Sequence, residues 1–415
     1  MKAALITTAK NEGPYFLEWV AHHLEVGFTD IIVYQNDSDD YTHNILSALR
    51  DVGAIQYFYN KAGRGRHQVR AYVRGGSLPE FKDADWAMAL DMDEFLVVKT
   101  GNGRLEDLIA ATPDADVHRI NWRIYGSSGH ALPTSDLVMD RFRMANYQLG
   151  PEGKMGAFKC LFRPAHFTRP GIHRPAGSKV DTKTLHYCNG SGLPEAEYRV
   201  KNYNSSDPEG CKLAQINHYI VRDTASFMLK TVRGSAHQAD RVIGHRYWKQ
   251  RNMNFERDDC VDPFLGRVRA RMEALDQASG GKLKALTEMA LFKHLEQFYT
   301  MVQKKRHRQF LEFCNGTLTT LDPQLTDQED MDLDEADPDE DQNDNTEEEF
   351  VEASEDEKPA KPSKAIKLKT VATKRVSAKS SAKPKSKTAS SKAAASKSSA
   401  IGAKAKAAPK KGIIA

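Results

Sequence analysis

Four short apolar runs, Ala3 to Ala9, Ile31 to Tyr34, Ala54 to Tyr59 and Trp86 to Leu90, fall within the first hundred residues and alternate with helical periodicity. Pro14 suits the first position of a helix. Phe16, Trp19, Val20 and Leu24 then recur at the spacing of a helix that packs on a sheet, and Gly27 closes the stretch. His22 and His23 ride on this helix and read as packing residues. Ile45, Leu46 and Leu49 mark a second apolar helix face, and the segment holding Gln68 and Tyr72 reads as a third helix. Strands joined through helices lie parallel, so the pattern predicts an α/β fold with a doubly wound, mostly parallel sheet.

Ligands of such sheets bind beyond the carboxyl ends of the strands. Asn11-Glu12, Asn36-Asp37, Asn60-Lys61 and Asp91-Met92-Asp93 each follow one of the four runs, which predicts a polar crevice along one edge. Asp91, Asp93 and Glu94 crowd three carboxylates into four positions, and their mutual repulsion calls for a cation. An Asp-x-Asp at a strand end suits Mn2+ or Mg2+ beside a phosphate. The same residues would also serve as the acidic first turn of a helix. Gly63-Arg64-Gly65-Arg66 follows the third run and lacks the third glycine of the dinucleotide fingerprint.

Charge divides the 415-residue chain more sharply than its net +4 suggests. Residues 322–357 hold 19 acidic and no basic side chains, and 358–415 hold 17 Lys or Arg and no acidic ones. Neither block has the aromatic and aliphatic content to bury a core, and both read as disordered. The basic block could meet nucleic acid, anionic lipid headgroups or an acidic polysaccharide by counterion release, or simply pair with the acidic block. The organisation expected is a first folded domain over 1–260, a helical extension over 261–320, an acidic linker over 321–357 and a basic tail over 358–415. Five scattered cysteines without a CxxC pair argue against a disulfide framework and a thiolate zinc site. No apolar run approaches the roughly 20 residues that span a bilayer. These features point to a cytoplasmic protein, with peripheral membrane contact left open.

The middle of the chain is less explicit. Val117 to Trp122 reads as a fifth strand. Gly126-Ser127-Ser128-Gly129-His130 is either a ligand-contacting loop or a plain turn. Lys159, Arg163, His173 and Arg174 precede a Gly- and Asn-rich stretch of weak periodicity, a pattern that suits acceptor loops or ordinary surface loops. Lys230 and Arg233 share one face of a helix starting near Thr224, as diphosphate contacts or as a solvated basic face. From Gly281 to Cys314 a helical repeat of Leu291, Phe292, Leu295, Phe298, Tyr299 and Val302 predicts one long packing helix.

Several of these stretches together carry a resemblance. Lys10-Asn11-Glu12, Glu18-Trp19-Val20-Ala21-His22-His23, Val33-Tyr34-Gln35-Asn36-Asp37-Ser38 and Asp91-Met92-Asp93-Glu94-Phe95-Leu96 come first. Trp122 to His130, Asn217-His218-Tyr219 and Lys230-x-x-Arg233-Gly234 follow in order. Residues 1–260 thus resemble family 2-like glycosyltransferases of the GT-A type, nearest the bacterial branch related to glycosyltransferase family 92. The resemblance implies a nucleoside-diphosphate sugar donor, a Mn2+ or Mg2+ ion, and an acceptor hydroxyl on a glycan or lipid-linked sugar. Asp93 would be the catalytic metal ligand, with Asp91 on the metal or the ribose and His218 completing the set, unless His218 is structural. Asn11, Glu12, Asn36 and Asp37 would surround the nucleoside, with Gln68 beside them, and Arg66, Lys230 and Arg233 would meet the diphosphate. An inverting reaction would need a general base, for which Asp181 is the candidate. The alternative is a nucleic-acid- or surface-binding protein that works through its tail on an inactive scaffold. A nucleotidyltransferase, which shares Asp-x-Asp chemistry, would carry a Gly-rich phosphate loop after the first strand, and this chain has none there.

Overall fold

The computed structural model describes residues 1–61, 67–147, 157–195, 211–233 and 244–318. The first ninety residues alternate as the pattern requires. They form β1 (Ala3–Ala9), α1 (Phe16–Val26), β2 (Asp30–Gln35), α2 (Thr42–Asp51), β3 (Gln56–Tyr59), α3 (His67–Ser77), α4 (Pro79–Lys82) and β4 (Trp86–Ala89). β1 pairs in parallel with β2 and β4, and β2 with β3, so the four strand ends share one edge. Alternation along β1 sends Ala3 and Leu5 into the core under α1, and Ala4 and Ile6 into the core under α3. Both faces are buried, which is why these strands read as unbroken apolar runs. Gly27 adopts φ +115 and ends α1 with its N–H on the His23 carbonyl.

The chain continues through β5 (Glu94–Val98), α5 (Leu105–Ala111), β6 (Val117–Ile124), α6 (Val138–Arg141), β7 (Met144–Ala145), β8 (Phe158–Phe162), β9 (Phe167–Pro170) and β10 (Pro175–Ser178). Next come β11 (Tyr187–Asn189), β12 (Pro194–Glu195), β13 (Ala214–His218), α7 (Thr224–Arg233), α8 (His245–Arg251) and β14 (Glu256–Arg257). Three helices close the described chain: α9 (Asp262–Ala278), α10 (Lys282–Met301) and α11 (Lys305–Cys314). The main sheet runs β12-β11-β6-β8-β4-β1-β2-β3, and β13 joins β6 to β5.

Three features depart from expectation. Residues 94–98 form β5, so the segment from Val117 read as the fifth strand is the sixth. Residues 158–162 are not a surface loop: β8 is a buried antiparallel strand between β4 and β6. Lys159 hid it, because a lysine breaks an apolar run unless an anion waits inside for it. The helical repeat of 281–314 is two helices, since the chain leaves helical geometry at Lys304 (ψ 132). His22 and His23 are buried, bond the carbonyls of Leu96 and Trp19, and are held below the usual histidine range by burial, as packing residues should be. Among the described residues no helix is long and apolar enough to cross a membrane. The acidic and basic blocks lie outside the described residues, as does the whole of a second compact unit, Lys364–Ala415.

Candidate active site

The edge where β1, β2 and β4 end opens into a cleft of about 720 Å³. Asn11, Glu12, Asp37 and Asp93 all line it, from loops that the parallel register brings together. The loops are cross-tied. The Asn11 backbone N–H donates to Ser38 Oγ at 3.0 Å, and Asp39 N–H donates to Asn11 Oδ1 at 2.9 Å. Glu12 N–H reaches Thr42 Oγ1 at 3.1 Å, and Tyr59 OH donates to Asp37 Oδ1 at 2.6 Å. Asn11 and Asp37 have φ of 54 and 47, a left-handed geometry that Asn and Asp tolerate better than most residues.

Asp93 is the best-connected carboxylate in the cleft. Lys230 Nζ on α7 donates to its Oδ2 at 2.9 Å, and His218 Nε2 lies 3.5 Å from Oδ1. His218 arrives through sheet pairing: β13 runs antiparallel to β5 with His218 opposite Glu94. Burial alone would raise the Asp93 carboxyl, but Lys230 and then His218 outweigh it and hold the group well below the usual carboxylate range. Burial lowers His218 despite its contact with Asp93, leaving the imidazole neutral at pH 7.

Asp91 turns elsewhere. Gln68 Nε2 donates to its Oδ1 at 2.7 Å and Lys159 Nζ to its Oδ2 at 3.2 Å, on the side covered by α3 and β8. Gln68 also reaches Tyr72 OH at 2.9 Å, so this residue supports Asp91 and is not part of the cleft lining. Glu94, wholly buried, accepts the Asp91 N–H at 2.8 Å and lies 3.5 Å from Lys159. The indole of Trp19 on α1 donates to the carbonyls of Asp91 and Glu94, which fixes the turn from below.

The remaining candidates are distributed as follows. Asn36 follows β2 but does not line the cleft. Arg66 lies outside the described residues, and Arg233 ends α7 with its side chain outside them. Asp181 does not line the cleft: its exposed carboxylate accepts from Lys183 N–H at 3.1 Å and caps a short 3-10 turn. Sequence reasoning missed two residues. Arg222 is buried, stacks 3.6 Å from the Tyr15 ring centroid, and donates to Glu12 Oε2 at 2.7 Å and to the Met92 carbonyl at 2.9 Å. Its φ of 54 is costly for a residue with a long side chain, a strain of about 1–3 kcal/mol that its ion pair holds in place. Asp40 is the second, a buried anchor whose Oδ2 accepts from Gly13 N–H at 3.0 Å and whose Oδ1 accepts from Thr42 Oγ1 at 2.6 Å. The one available signal for Arg222 was its place between His218 and Lys230.

Asp93 and His218 are the side chains that could hold a metal ion here. Among the described residues no group of three or more His, Cys, Asp and Glu side chains is arranged to do so alone. A carboxylate, an imidazole and substrate oxygens do fit a hard divalent ion, which commonly binds through one or two carboxylates plus phosphates.

Residues 9–209 match the model of glycosyltransferase family 92. The match covers just under half of the chain. No curated protein sequence matches it. Among solved structures it is similar to S. aureus TarS, at 16% identity over 40% of this chain and 29% of that chain, with a TM-score of 0.25. Against S. aureus TarS 1-349 in complex with UDP the values are 18%, 40%, 47% and 0.25. Against TarS 1-349 in complex with UDP-GlcNAc they are 14%, 74%, 93% and 0.26. The chain thus spans under a third of the full TarS structure.

Proposed function

We propose that this glycosyltransferase takes a nucleoside-diphosphate sugar into the cleft and transfers the sugar to an acceptor hydroxyl on a glycan or lipid-linked sugar. The observation that carries the reading is the meeting of Asp93, Lys230 and Arg222 with Asn11, Glu12 and Asp37 in one cleft. Asn11 and Asp37 offer hydrogen-bonding groups to the base and ribose. Lys230 is placed to move from Asp93 Oδ2 onto a diphosphate oxygen, where it neutralises charge that grows as the bond to the anomeric carbon breaks. Arg222, fixed on Glu12, keeps the floor of the cleft from repelling an anion. Asp93 and His218 would hold a Mn2+ or Mg2+ ion, which supplies Lewis-acid stabilisation of the leaving nucleoside diphosphate when bound.

Titration of the full chain with a panel of nucleoside-diphosphate sugars, with and without Mn2+, tests this. The expected result is metal-dependent binding that Asp93→Asn weakens at least tenfold, about 1.4 kcal/mol. Unchanged affinity in that variant would remove Asp93 from the site, and absence of binding by every donor would remove the function.

A further inference from the structure

We propose that α10 is the far wall of the donor site, its polar stripe lying along the bound nucleoside diphosphate with Gln297 and Thr300 hydrogen-bonded to it. This rests on the nucleotide-sugar reading above and extends it to a helix beyond the family match, which ends at residue 209. Lys293, Gln297 and Thr300 line the cleft, as does Lys304 just beyond the helix end. The first three follow one another at i, i+4 and i+7, the spacing of a single helix face. The adjoining face of α10 packs through Ala290, His294, Phe298 and Met301, all buried, of which His294 and Met301 also border the cleft.

The helix is anchored at both ends of the cleft. At the nucleoside end, His294 Nε2 shares a 2.8 Å hydrogen bond with Asp40 Oδ2, the oxygen that also accepts from Gly13 N–H. A Cβ on Gly13 would stand 2.8 Å from Ala290 Cβ and 2.7 Å from the Asp40 carbonyl oxygen, so only glycine lets α10 approach this closely. Gly13 directly follows Asn11 and Glu12, and Asp40 follows Asp37 and Asp39. At the other end, Phe298 and Met301 pack with Ala225 and Met228 of α7, the helix that carries Lys230. From Lys293 to Thr300 the stripe runs about 10 Å at 1.5 Å per residue. One helix thus spans from the loops assigned to the nucleoside to the lysine assigned to the diphosphate.

The stripe is chemically free to bind. The Gln297 amide has no hydrogen-bond partner among the described residues. Thr300 Oγ1 spends its proton on the Glu296 carbonyl at 2.8 Å, leaving its lone pairs as acceptors for a ribose hydroxyl. Lys293 pairs with Glu296 at 2.7 Å, which places a mixed rather than a purely cationic rim beside the nucleoside.

The experiment is calorimetric titration of the full chain with UDP, GDP, ADP and CDP, each with Mn2+, on the parent and four variants. Gln297→Leu combined with Thr300→Val should weaken the tightest of these ligands at least tenfold while leaving the melting temperature unchanged. His294→Leu should weaken the same ligand, and His294→Gln, which restores a donor to Asp40, should recover most of the loss. If the stripe variant binds like the parent while Lys230→Ala does not, α10 is packing only and the inference fails. If the parent binds none of the four ligands, the nucleotide reading itself fails.

Discussion

Asp91 and Asp93 stand two residues apart and occupy opposite environments. Asp91 faces the α3 and β8 side, where Lys159 answers it with a side chain only 1% exposed. Asp93 faces the cleft, where Lys230 answers it with a side chain 20% exposed. Burial would lower the Lys159 ammonium, yet Asp91 and Glu94 together hold it above the usual lysine range, so it stays charged inside. Glu94 is pushed up by burial although Lys159 pulls it down. A cation that deep cannot be rehydrated once its partners are lost, whereas Lys230, which also donates to the Ile220 carbonyl at 3.1 Å, keeps contact with solvent. The two pairs thus differ in the burial of the cation, while the carboxylates run the other way, Asp91 being 36% and Asp93 15% exposed.

The largest effect should come from the buried side. Lys159→Met removes the cation from two carboxylates and is expected to cost about 3 kcal/mol in denaturant unfolding, with nucleoside-diphosphate affinity retained in the folded fraction. A variant as stable as the parent would show that Asp91 and Glu94 need no cation, and the contrast would vanish. Lys230→Ala should do the reverse. Its pair is partly exposed and contributes at most about 1 kcal/mol to stability, but nucleoside-diphosphate binding should weaken roughly tenfold. Loss of stability without loss of affinity would move Lys230 into the structural class.

The smallest effect concerns α1, the helix beneath both aspartates. Glu18 accepts from the Val138 and Met139 N–H groups, and burial raises it from 4.5 to about 7. The folded chain therefore holds a proton there that the unfolded chain releases, and Glu18 favours folding as pH falls through 7. His22, lowered by burial from 6.5 to about 4, acts in the opposite sense: below 6.5 the unfolded chain takes up a proton that the folded one refuses. Glu18→Gln removes only the first effect, so the melting temperature of the variant should fall more steeply than that of the parent between pH 7 and 5. Parallel curves would mean that Glu18 is already ionised in the fold.

Much of the scaffold was legible because its signals are local. The four strands, α1 with its Gly27 stop and α7 from Thr224 all follow from periodicity and punctuation within a dozen residues. β8 was not legible, since Lys159 looks like a surface residue until Asp91 and Glu94 are placed around it. Asp40 was equally hidden. Ser38-Asp39-Asp40 reads as one polar turn, and nothing nearby marks Asp40 as the residue that Gly13, Thr42 and His294 enclose. The stripe of α10 was overshadowed by its apolar face, which explained the helix without assigning its polar side a partner.

What the sequence determined by itself is that Asn11, Glu12, Asp37, Asp91 and Asp93 come to one edge, because right-handed crossovers between parallel strands leave all carboxyl ends on the same side. What only the tertiary structure decided is which carboxylate opens into the cleft and which cation meets it. Lys230 is 137 residues from Asp93 and Lys159 is 68 from Asp91. Contacts over such separations are fixed by strand pairing and helix docking, and no local pattern encodes them.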